Sequence, residues 1–328
     1  MRLTVEGPGA RRLDKYLTGR FPKLSRALVM KYLKEGRARL NGRRARPGHH
    51  VAAGDELELP DWEEAVVRIR AGRAAGVPDV VRHPPEGIFV LYEDEDLVVV
   101  DKPPGLVMHP GKGHEEEGLD RILRKHFGPA TRLVHRIDRD TSGVVVAARG
   151  HPKAAQRLAD AFKAGDVEKV YLALVSGVPE PASGTIDVPL LDTKRAGDRV
   201  RVDTARGKAA HTDYRTREAF ARFAWLEVHP RSGRRHQIRA HLEHVGHPLA
   251  VDHIYAKRSR IRLRELRPDV PASWKNPVVL SRQALHAAKL TIRHPRTGEE
   301  TTFEAPLADD LEEALRLLRE GGGANAAS

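Results

Sequence analysis

Short strand-like runs dominate the chain from Gly87 onward, and they constrain its fold more than any other feature of the sequence. Six of these runs are residues 88–94, 97–103, 143–148, 169–177, 224–230 and 289–295. They alternate with helical stretches such as residues 152–165, in which Leu158, Ala159 and Phe162 share one face. This pattern predicts an α+β domain with a mixed or antiparallel central sheet.

The length and composition of the chain predict a second, smaller domain. Its 328 residues exceed the usual ~150 residues per domain, and an apolar content of 40% is enough to bury a core. No apolar run approaches the ~18 residues that a membrane-spanning helix needs. The absence of cysteine excludes disulfides, thiolate metal sites and a cysteine nucleophile. The first residues lack the apolar stretch of a secretory signal, so we expect a cytoplasmic protein without a membrane partner.

Two helices are predicted near the N-terminus. The first carries apolar residues at helical spacing, and the second begins at Ser25 as its N-cap and ends before Gly36. The apolar positions of the two helices are Leu13, Tyr16 and Leu17, and then Leu28, Val29, Tyr32 and Leu33. The dipeptide Asn41-Gly42 is a strong hairpin signal, and a short strand follows at residues 54–59.

Positive charge is concentrated in this N-terminal module. The first 60 residues hold 14 Lys and Arg against 6 Asp and Glu, so they supply 8 of the net charge of +12. Such a surface suggests a polyanionic partner, although a solvated basic face without a partner is the alternative. The RNA-binding candidates are Arg26, Lys31, Lys34, Arg43 and Arg44.

The domain boundaries follow from a change in composition. A stretch of mixed charge with Pro78, Pro84 and Pro85 shows no sustained period and predicts a linker at residues 63–86. We therefore expect an N-terminal module in residues 1–62 and the main domain in residues 87–310. A terminal helix and a disordered tail are predicted for residues 311–328.

Charged and titratable residues crowd into the loop directly before the apolar run 143–148. They are His135, Arg136, Asp138, Arg139 and Asp140. The run that follows is apolar throughout, which implies a strand buried on both faces. Loops held by such rigid strands are where functional residues concentrate. A surface charge cluster without a function is the alternative.

This loop, HRIDRDTSG, resembles the signature of the RluA-type pseudouridine synthases, His-Arg-Leu-Asp followed two residues later by Thr-Ser-Gly. Further blocks match in order: EDEDLVVVDKPPGLVMHPG, EKVYLALVSG, GRRHQIRAHLEHVGHPLAVDHIY and RQALHAAKLTIRHPRTG, and together they span about residues 88–300. The N-terminal module is similar to the small RNA-binding domain named after ribosomal protein S4, through RLDKYL, SRALVMKYLKEGRARLNG and GDELEL.

The resemblance implies a pseudouridine synthase fold and an enzyme that isomerises uridine in structured RNA, with no cofactor and no metal. Family members that join an S4-type module to this domain generally act on large-subunit ribosomal RNA. We therefore expect ribosomal RNA as the partner of a monomeric enzyme. Transfer RNA is the alternative substrate, and a non-catalytic RNA-binding factor is the alternative function.

Asp138 is the catalytic carboxylate that the resemblance implies, either as a nucleophile or as a stabiliser of positive charge on the ribose. A carboxylate in a partly desolvated pocket needs a nearby cation to remain ionised. By resemblance, Arg239 is that cation. At helical spacing, Ile238, Leu242 and Val245 form the predicted buried stripe, with Arg239 at its edge.

Tyr171 and Lys169 are predicted to point away from Val170, Leu172 and Leu174, by the period of two in a strand. The resemblance implies that Tyr171 is the active-site aromatic, which packs against the target base and is implicated in removing the proton from carbon 5. A tyrosine with a pKa near ~10 is a weak base, so proton transfer would need a lowered pKa. Lys169 is a predicted substrate contact.

Arg136 and His135 are the other predicted substrate-binding residues. The target uridine must be extruded from its stack, and the planar guanidinium of Arg136 suits the gap that it leaves. His135 is expected to orient the loop through hydrogen bonds and not to act as a base.

The chain departs from the family pattern at a few positions. Ile137 replaces leucine in the signature, and Arg235 stands where threonine is frequent. Val251 and Ala256 replace two glycines that flank an aspartate and a tyrosine, which predicts an altered turn because glycine tolerates positive φ.

Two other enzyme classes share single features with this sequence. A metal-dependent hydrolase is suggested by His236, His241, His244 and His247, but their spacing does not make them converge, and no carboxylate-histidine motif accompanies them. A kinase loop is excluded because the aspartate is one position late and there is no glycine-rich phosphate loop.

Overall fold

The computed structural model describes residues 1–6, 11–21, 29–30, 32–33, 36, 38–46, 48–60, 62, 88–110, 118–192, 199–321 and 325–326. The predicted linker at residues 63–86 lies outside these ranges, as do Ser25, Arg26, Leu28, Lys31 and Lys34. Within the described ranges, no helix combines the length and the apolar character that crossing a membrane requires.

The N-terminal module has a core of its own. Its elements are β1 (Arg2–Thr4), β2 (Arg11–Arg12), α1 (Leu13–Arg20), β3 (Arg39–Leu40), β4 (Arg43–Arg44), β5 (His50–Val51) and β6 (Glu56–Glu58). Four strands form a sheet in the order β1-β6-β3-β4. The β3–β4 hairpin turns at Asn41 and Gly42, whose φ angles of 50° and 76° confirm the predicted hairpin. Tyr32 and Leu57 are buried in this core.

The remaining strands form one large sheet and two short ribbons. They are β7 (Phe89–Glu93), β8 (Leu97–Lys102), β9 (Arg132–Leu133), β10 (Ser142–Ala148), β11 (Glu168–Ser176), β12 (Ser183–Asp187), β13 (Leu190–Leu191), β14 (Arg201–Val202), β15 (His211–Ala219), β16 (Phe223–Pro230), β17 (Ile261–Arg262), β18 (Val278–Leu280), β19 (Leu285–Arg293), β20 (Glu300–Glu304) and β21 (Asn325–Ala326). The large sheet runs in the order β12-β15-β16-β11-β19-β10-β8-β7. Because β10 and β19 are parallel and their other neighbours antiparallel, the predicted mixed sheet is confirmed.

Helices cover both faces of this sheet. They are α2 (Leu119–Phe127), α3 (Pro152–Ala164), α4 (Gln237–His244), α5 (Leu263–Leu266) and α6 (Asp309–Glu320). Val98 and Val100 of β8 pack in the same cluster as α2, whereas Val99, one residue apart, packs with Leu158 of α3. The alternation of side chains along a strand explains this division. Every residue of β10 is buried, so the predicted burial on both faces is confirmed.

The C-terminal helix belongs to the main domain. Helix α6 begins at Asp309, and its residues Leu311, Leu315 and Leu318 join the cluster of β16 and α4. The predicted boundary between residues 310 and 311 is therefore wrong, because it cuts through a helix whose apolar face completes the core. In the predicted tail, residues 325–326 pair with the end of β15.

The N-terminal module contacts the main domain through a buried charge. Arg12 pairs with Asp14 in its own module and with Asp309 and Glu312 at the start of α6. Lys15 adds a contact of 2.5 Å to Asp309. The acidic first turn of a helix is where carboxylates are stabilised by the helix dipole. This charged contact orients the basic module relative to the main domain.

Candidate active site

The loop between β9 and β10 opens onto a pocket of about 330 Å³. Its lining includes Asp138, Tyr171, Arg239, His135, Arg136 and Lys169. The structure thus brings together every catalytic and substrate-binding candidate of the main domain. Arg43 and Arg44 lie in the separate N-terminal module, on an exposed strand.

The start of β10 fixes the loop through a glycine. Gly143 has a φ of 116°, and a Cβ placed on it would lie 2.1 Å from the backbone oxygen of Ala287 in β19. Only glycine permits both the positive φ and this close approach. Gly143 therefore lets β10 pair in parallel with β19 at the point where the loop carrying Asp138 ends.

Lys102 holds the other side of the same loop. Its side chain is fully buried, and Nζ donates to the backbone oxygens of Pro103, Leu106 and Arg139 at 2.8, 2.9 and 2.7 Å. Burial lowers the pKa of Lys102 to about 7. This role was not predicted from the sequence, although the lysine belongs to the matched block that begins EDEDLVVVDKPPG.

Asp138 forms the predicted ion pair with Arg239. The Arg239 Nη1 donates to Asp138 Oδ2 at 2.8 Å, and the side chains are 3% exposed for Arg239 and 17% for Asp138. Burial opposes the charge of Arg239, but the hydrogen bond and charge of Asp252 and the charge of Asp138 outweigh it and raise the pKa of the guanidinium. A permanent cation therefore faces the carboxylate inside the pocket.

Asp252 fixes the other edge of the same guanidinium. Arg239 donates from Nε to Asp252 Oδ2 at 2.6 Å and from Nη2 to Oδ1 at 3.0 Å. The backbone N–H groups of Ile254 and Tyr255 also donate to Oδ1, and Asp252 is 0% exposed. Burial alone would raise the pKa of Asp252, but Arg239 and these N–H groups lower it. Arg239 thus bridges two carboxylates, of which sequence analysis predicted only Asp138.

The turn after α4 does not need the two glycines that the family pattern suggests. Val251 is fully buried in the main core, and the N–H of Ala256 donates to the backbone oxygen of Asp252 at 3.2 Å. Within residues 249–257, which contain the two replaced positions, the positive φ falls on Lys257, at 51°. The altered turn predicted from the lost glycines therefore leaves Asp252 in place to bind Arg239.

The burial predicted for α4 is only partly correct. Ile238 and Leu242 are buried, but Val245 is 39% exposed, because the helix ends at His244 and Val245 is its C-cap. Three of the four histidines lie in separate places: His236 lines the pocket, His241 bonds to Thr212, and His247 bonds to the backbone oxygen of Ser176. His244 is exposed at the end of the helix.

Tyr171 lines the pocket close to Asp138. Burial and the negative charge of Asp138 raise the pKa of its phenol well above the ordinary value. The lowered pKa that a base would require is therefore absent at this tyrosine. The pairing of β11 with β19 shifts between Val170 and Tyr171 because β19 has one extra residue there. Lys169 and Tyr171 both line the pocket, as the period of two predicts for residues on one face of β11.

His135 and Lys169 support the pocket from either side. The N–H of Val146 donates to His135 Nε2 at 2.9 Å, and the ring stacks on Phe162 at 4.4 Å. Burial, assisted by the charge of Lys169, lowers the pKa of His135 to about 3, so the ring is neutral. Lys169 Nζ donates to the backbone oxygen of Ser232 at 3.1 Å. Arg136, by contrast, is exposed at the pocket wall.

His236 and Arg235 line the helix side of the pocket. His236 Nε2 lies 3.9 Å from Asp138 Oδ2, and burial lowers the pKa of this histidine to about 4. Arg235, which replaces the frequent threonine, pairs with Asp192 at 2.8 Å. Tyr255 contacts two of the residues around Asp138. Its hydroxyl forms a hydrogen bond with His236 Nδ1 at 3.2 Å, and its ring centre lies 5.0 Å from the guanidinium carbon of Arg239. The sequence block around Asp252 contains this tyrosine as well.

Comparison with known proteins identifies two regions. Residues 96–244 match the family model described as RNA pseudouridylate synthase, and residues 11–57 match the S4 domain. The chain is 35% identical to ribosomal large subunit pseudouridine synthase D of Pseudomonas aeruginosa, over 95% of this chain and 93% of that protein. It is 34% identical to ribosomal large subunit pseudouridine synthase C of Escherichia coli O157:H7, over 97% and 95%.

A solved structure shares the fold of the main domain. Human RNA pseudouridylate synthase domain containing 4 is 26% identical to this chain and superposes with a TM-score of 0.53. The match covers 70% of this chain and 92% of the human chain.

Proposed function

This chain belongs to the family of RNA pseudouridine synthases, isomerases that convert uridine to pseudouridine, and we propose that it uses Asp138 to act on large-subunit ribosomal RNA. The observation that carries the assignment of Asp138 is its contact with the buried Arg239, which Asp252 holds from the other side. The ribosomal substrate is supported by the names of the two relatives and by the basic N-terminal module.

The reaction needs a group that acts on the ribose. The bond between ribose C1′ and uracil N1 breaks, the base turns, and C1′ joins C5, while C5 loses a proton and N1 gains one. No electrons are gained or lost overall. An ionised Asp138 can attack the sugar or stabilise positive charge that develops on it.

Arg239 prepares Asp138 for either role. Because Asp252 binds two nitrogens of the guanidinium, the third is left at a fixed position against Asp138. A donor that is already in place needs no reorganisation when charge develops in the transition state. Arg239 is therefore a positioning residue that holds the carboxylate of Asp138 in a fixed orientation.

The remaining pocket residues are assigned to the base and to the RNA. Tyr171, with its raised pKa, packs against the uracil ring as a neutral phenol, and Lys169 is a substrate contact. Arg136 is exposed next to Asp138, which suits a guanidinium that replaces the extruded uridine in its stack. His135 positions this loop through Val146 and Phe162. We place the enzyme in the cytoplasm as a monomer.

The substrate assignment is tested with a panel of unmodified transcripts. Purified protein is incubated with large-subunit ribosomal RNA, small-subunit ribosomal RNA and a pool of transfer RNAs, and pseudouridine is mapped in each. We expect modification of one or a few uridines in the large-subunit RNA alone. Modification confined to transfer RNA would replace this substrate with the alternative.

We expect the activity to survive exhaustive dialysis against a metal chelator. The oxygens of Asp138 and Asp252 accept hydrogen bonds from the guanidinium of Arg239. This guanidinium supplies the positive charge beside Asp138, so the proposed chemistry needs no metal ion there. The measurement is the single-turnover rate before and after dialysis, with the RNA refolded in the same buffer. A rate that falls and is restored by zinc but not by a polyamine would contradict the proposal.

The hairpin arginines are expected to contribute to the salt dependence of RNA binding. Arg43 and Arg44 lie on an exposed strand, and each phosphate contact contributes about 0.7 to 0.9 to the slope of log affinity against log salt. We therefore expect the Arg43→Gln/Arg44→Gln variant to lower the slope by about 1.4 to 1.8. Arg293→Gln, which alters an exposed arginine of the large sheet, is the control. An unchanged slope in the double variant would remove the hairpin from the RNA contact.

A further inference from the structure

Trp274 is the most exposed large hydrophobic side chain among the described residues, at 60%. It lies in the connection between α5 and β18, where residues 271–275 are exposed one after another. The other two tryptophans of the chain, Trp62 and Trp225, are buried. An indole left in water is a candidate contact for a partner, because aromatic rings supply much of the energy of binding surfaces.

Hydrogen bonds hold the backbone on either side of the exposed ring. The guanidinium of Arg264 donates to the backbone oxygens of Ala272 and Trp274, and Arg262 Nη1 donates to that of Asn276 at 2.8 Å. The side chain of Asn276 in turn accepts from the N–H of Arg264 at 3.0 Å. The segment thus presents Trp274 on a fixed backbone, which reduces the entropy lost on binding.

The chain segment that contains Trp274 carries an excess of positive charge. Residues 257–275 contain seven Lys and Arg against two Asp and Glu. Both acids already face arginines, Glu265 with Arg258 and Asp269 with Arg267. Lys257, Arg260 and Lys275 are exposed. An aromatic ring among exposed cations is the composition of a surface that binds unpaired nucleotides, with stacking on the base and charge on the phosphates.

Backbone hydrogen bonds connect this segment to Asp252, the partner of Arg239. Asp252, which grips Arg239, exchanges two backbone hydrogen bonds with Arg258, at 3.0 and 3.2 Å. The basic segment therefore begins next to Asp252, on the side of Arg239 that faces away from Asp138.

We propose that Trp274 is an RNA-binding residue that stacks on an unpaired base outside the active-site pocket, while Lys257, Arg260 and Lys275 contact the neighbouring phosphates. A protein partner fits less well, because Trp274 is the only exposed large hydrophobic residue in residues 257–275, all of which are described, and the next one along the chain is Val278 in β18. The inference rests on the proposed function insofar as RNA is the molecule that occupies the pocket.

The affinity test compares Trp274→Ala, Trp274→Phe and Trp274→Leu. The probe is whichever transcript of the panel the wild-type protein modifies, so an error in the ribosomal assignment does not affect the outcome. Loss of one stacked base should raise the Kd of Trp274→Ala by about 5- to 150-fold. Phenylalanine should restore most of the affinity and leucine little of it. Val178→Ala, at an exposed site on another strand connection, should leave activity and affinity unchanged.

A fluorescence measurement tests the contact directly in the full-length protein. Because Trp62 and Trp225 are buried, quenching by acrylamide reports mainly on Trp274. RNA should protect the wild-type protein from the quencher, and this protection should disappear in Trp274→Phe, which keeps a stacking ring but removes the indole. Unchanged affinity in Trp274→Ala, equal rescue by leucine, or no protection by RNA would each overturn the proposal.

Discussion

Asp138→Asn is expected to abolish isomerisation while it leaves RNA affinity within a few-fold of wild type. The amide keeps the shape of the side chain but can neither attack the ribose nor offset positive charge on it. Removal of a group that acts in the transition state costs on the order of 10⁴-fold or more in rate. The measurement is the single-turnover rate at saturating RNA, together with Kd from a binding titration.

Asp140→Asn is the matched control for this variant. Asp140 lies in the same loop and pairs with Arg139 at 3.0 Å, but it does not line the pocket. The same chemical change two residues away should therefore retain most of the rate. Turnover by Asp138→Asn at a rate comparable with that of Asp140→Asn would show that another group performs the chemistry.

Arg239→Gln is expected to cost both activity and stability. It leaves Asp138 without its cation and leaves Asp252, which is fully buried, as an unpaired charge. Breaking a buried ion pair by removing one partner costs about 3–5 kcal/mol. Loss of the preorganised donor should lower the single-turnover rate by about 10²- to 10³-fold. Denaturant unfolding and single-turnover kinetics measure the two effects.

The double variant Arg239→Gln/Asp252→Asn separates these two effects. It removes the buried unpaired charge, so it should recover much of the lost stability, but it restores no cation to Asp138 and should stay inactive. Recovery of activity in the double variant would show that Arg239 acts on the fold alone. Equal instability of the single and double variants would show that the charge of Asp252 is not the cause.

The pH dependence of stability gives a further check on the same pair. In the wild type, Arg239 lowers the pKa of Asp252 below its ordinary value of 3.8. A lowered pKa contributes stability above that value, and this contribution is lost as the pH falls through the folded-state pKa. In Arg239→Gln the buried carboxyl instead has a raised pKa and is neutralised by acid. The stability difference between the two proteins should therefore be largest near neutral pH and shrink on acidification.

Local patterns in the sequence predict much of the fold and of the catalytic loop. The strand buried on both faces after HRIDRDTSG and the turn at Asn41-Gly42 depend on neighbouring residues, and the structure contains both. Periodicity was less reliable at the ends of elements. Val245 fits the apolar stripe of α4, but it is the C-cap of that helix and is exposed to solvent. The boundary predicted near residue 310 falls inside α6, whose apolar residues complete the core.

Contacts between distant segments could not be predicted in this way. Asp252 reaches Arg239 across the turn after α4, and its burial depends on Val251 and on the fold of that turn. Lys102 holds the loop from a strand 37 residues before Arg139. Helical or strand periodicity relates residues that are close in sequence, so it contains no signal for such pairs. The only indication in the sequence that Asp252 and Lys102 are functional is that both lie inside blocks that match the family.

The most direct test of the account is a map of pseudouridines in large-subunit ribosomal RNA from cells that lack this gene. The cells are supplied with the wild-type chain, Asp138→Asn or Asp140→Asn at equal protein levels. We predict that one or a few pseudouridines vanish on deletion, return with the wild type and with Asp140→Asn, and stay absent with Asp138→Asn. A map that is unchanged by the deletion, or restored by Asp138→Asn, would contradict it.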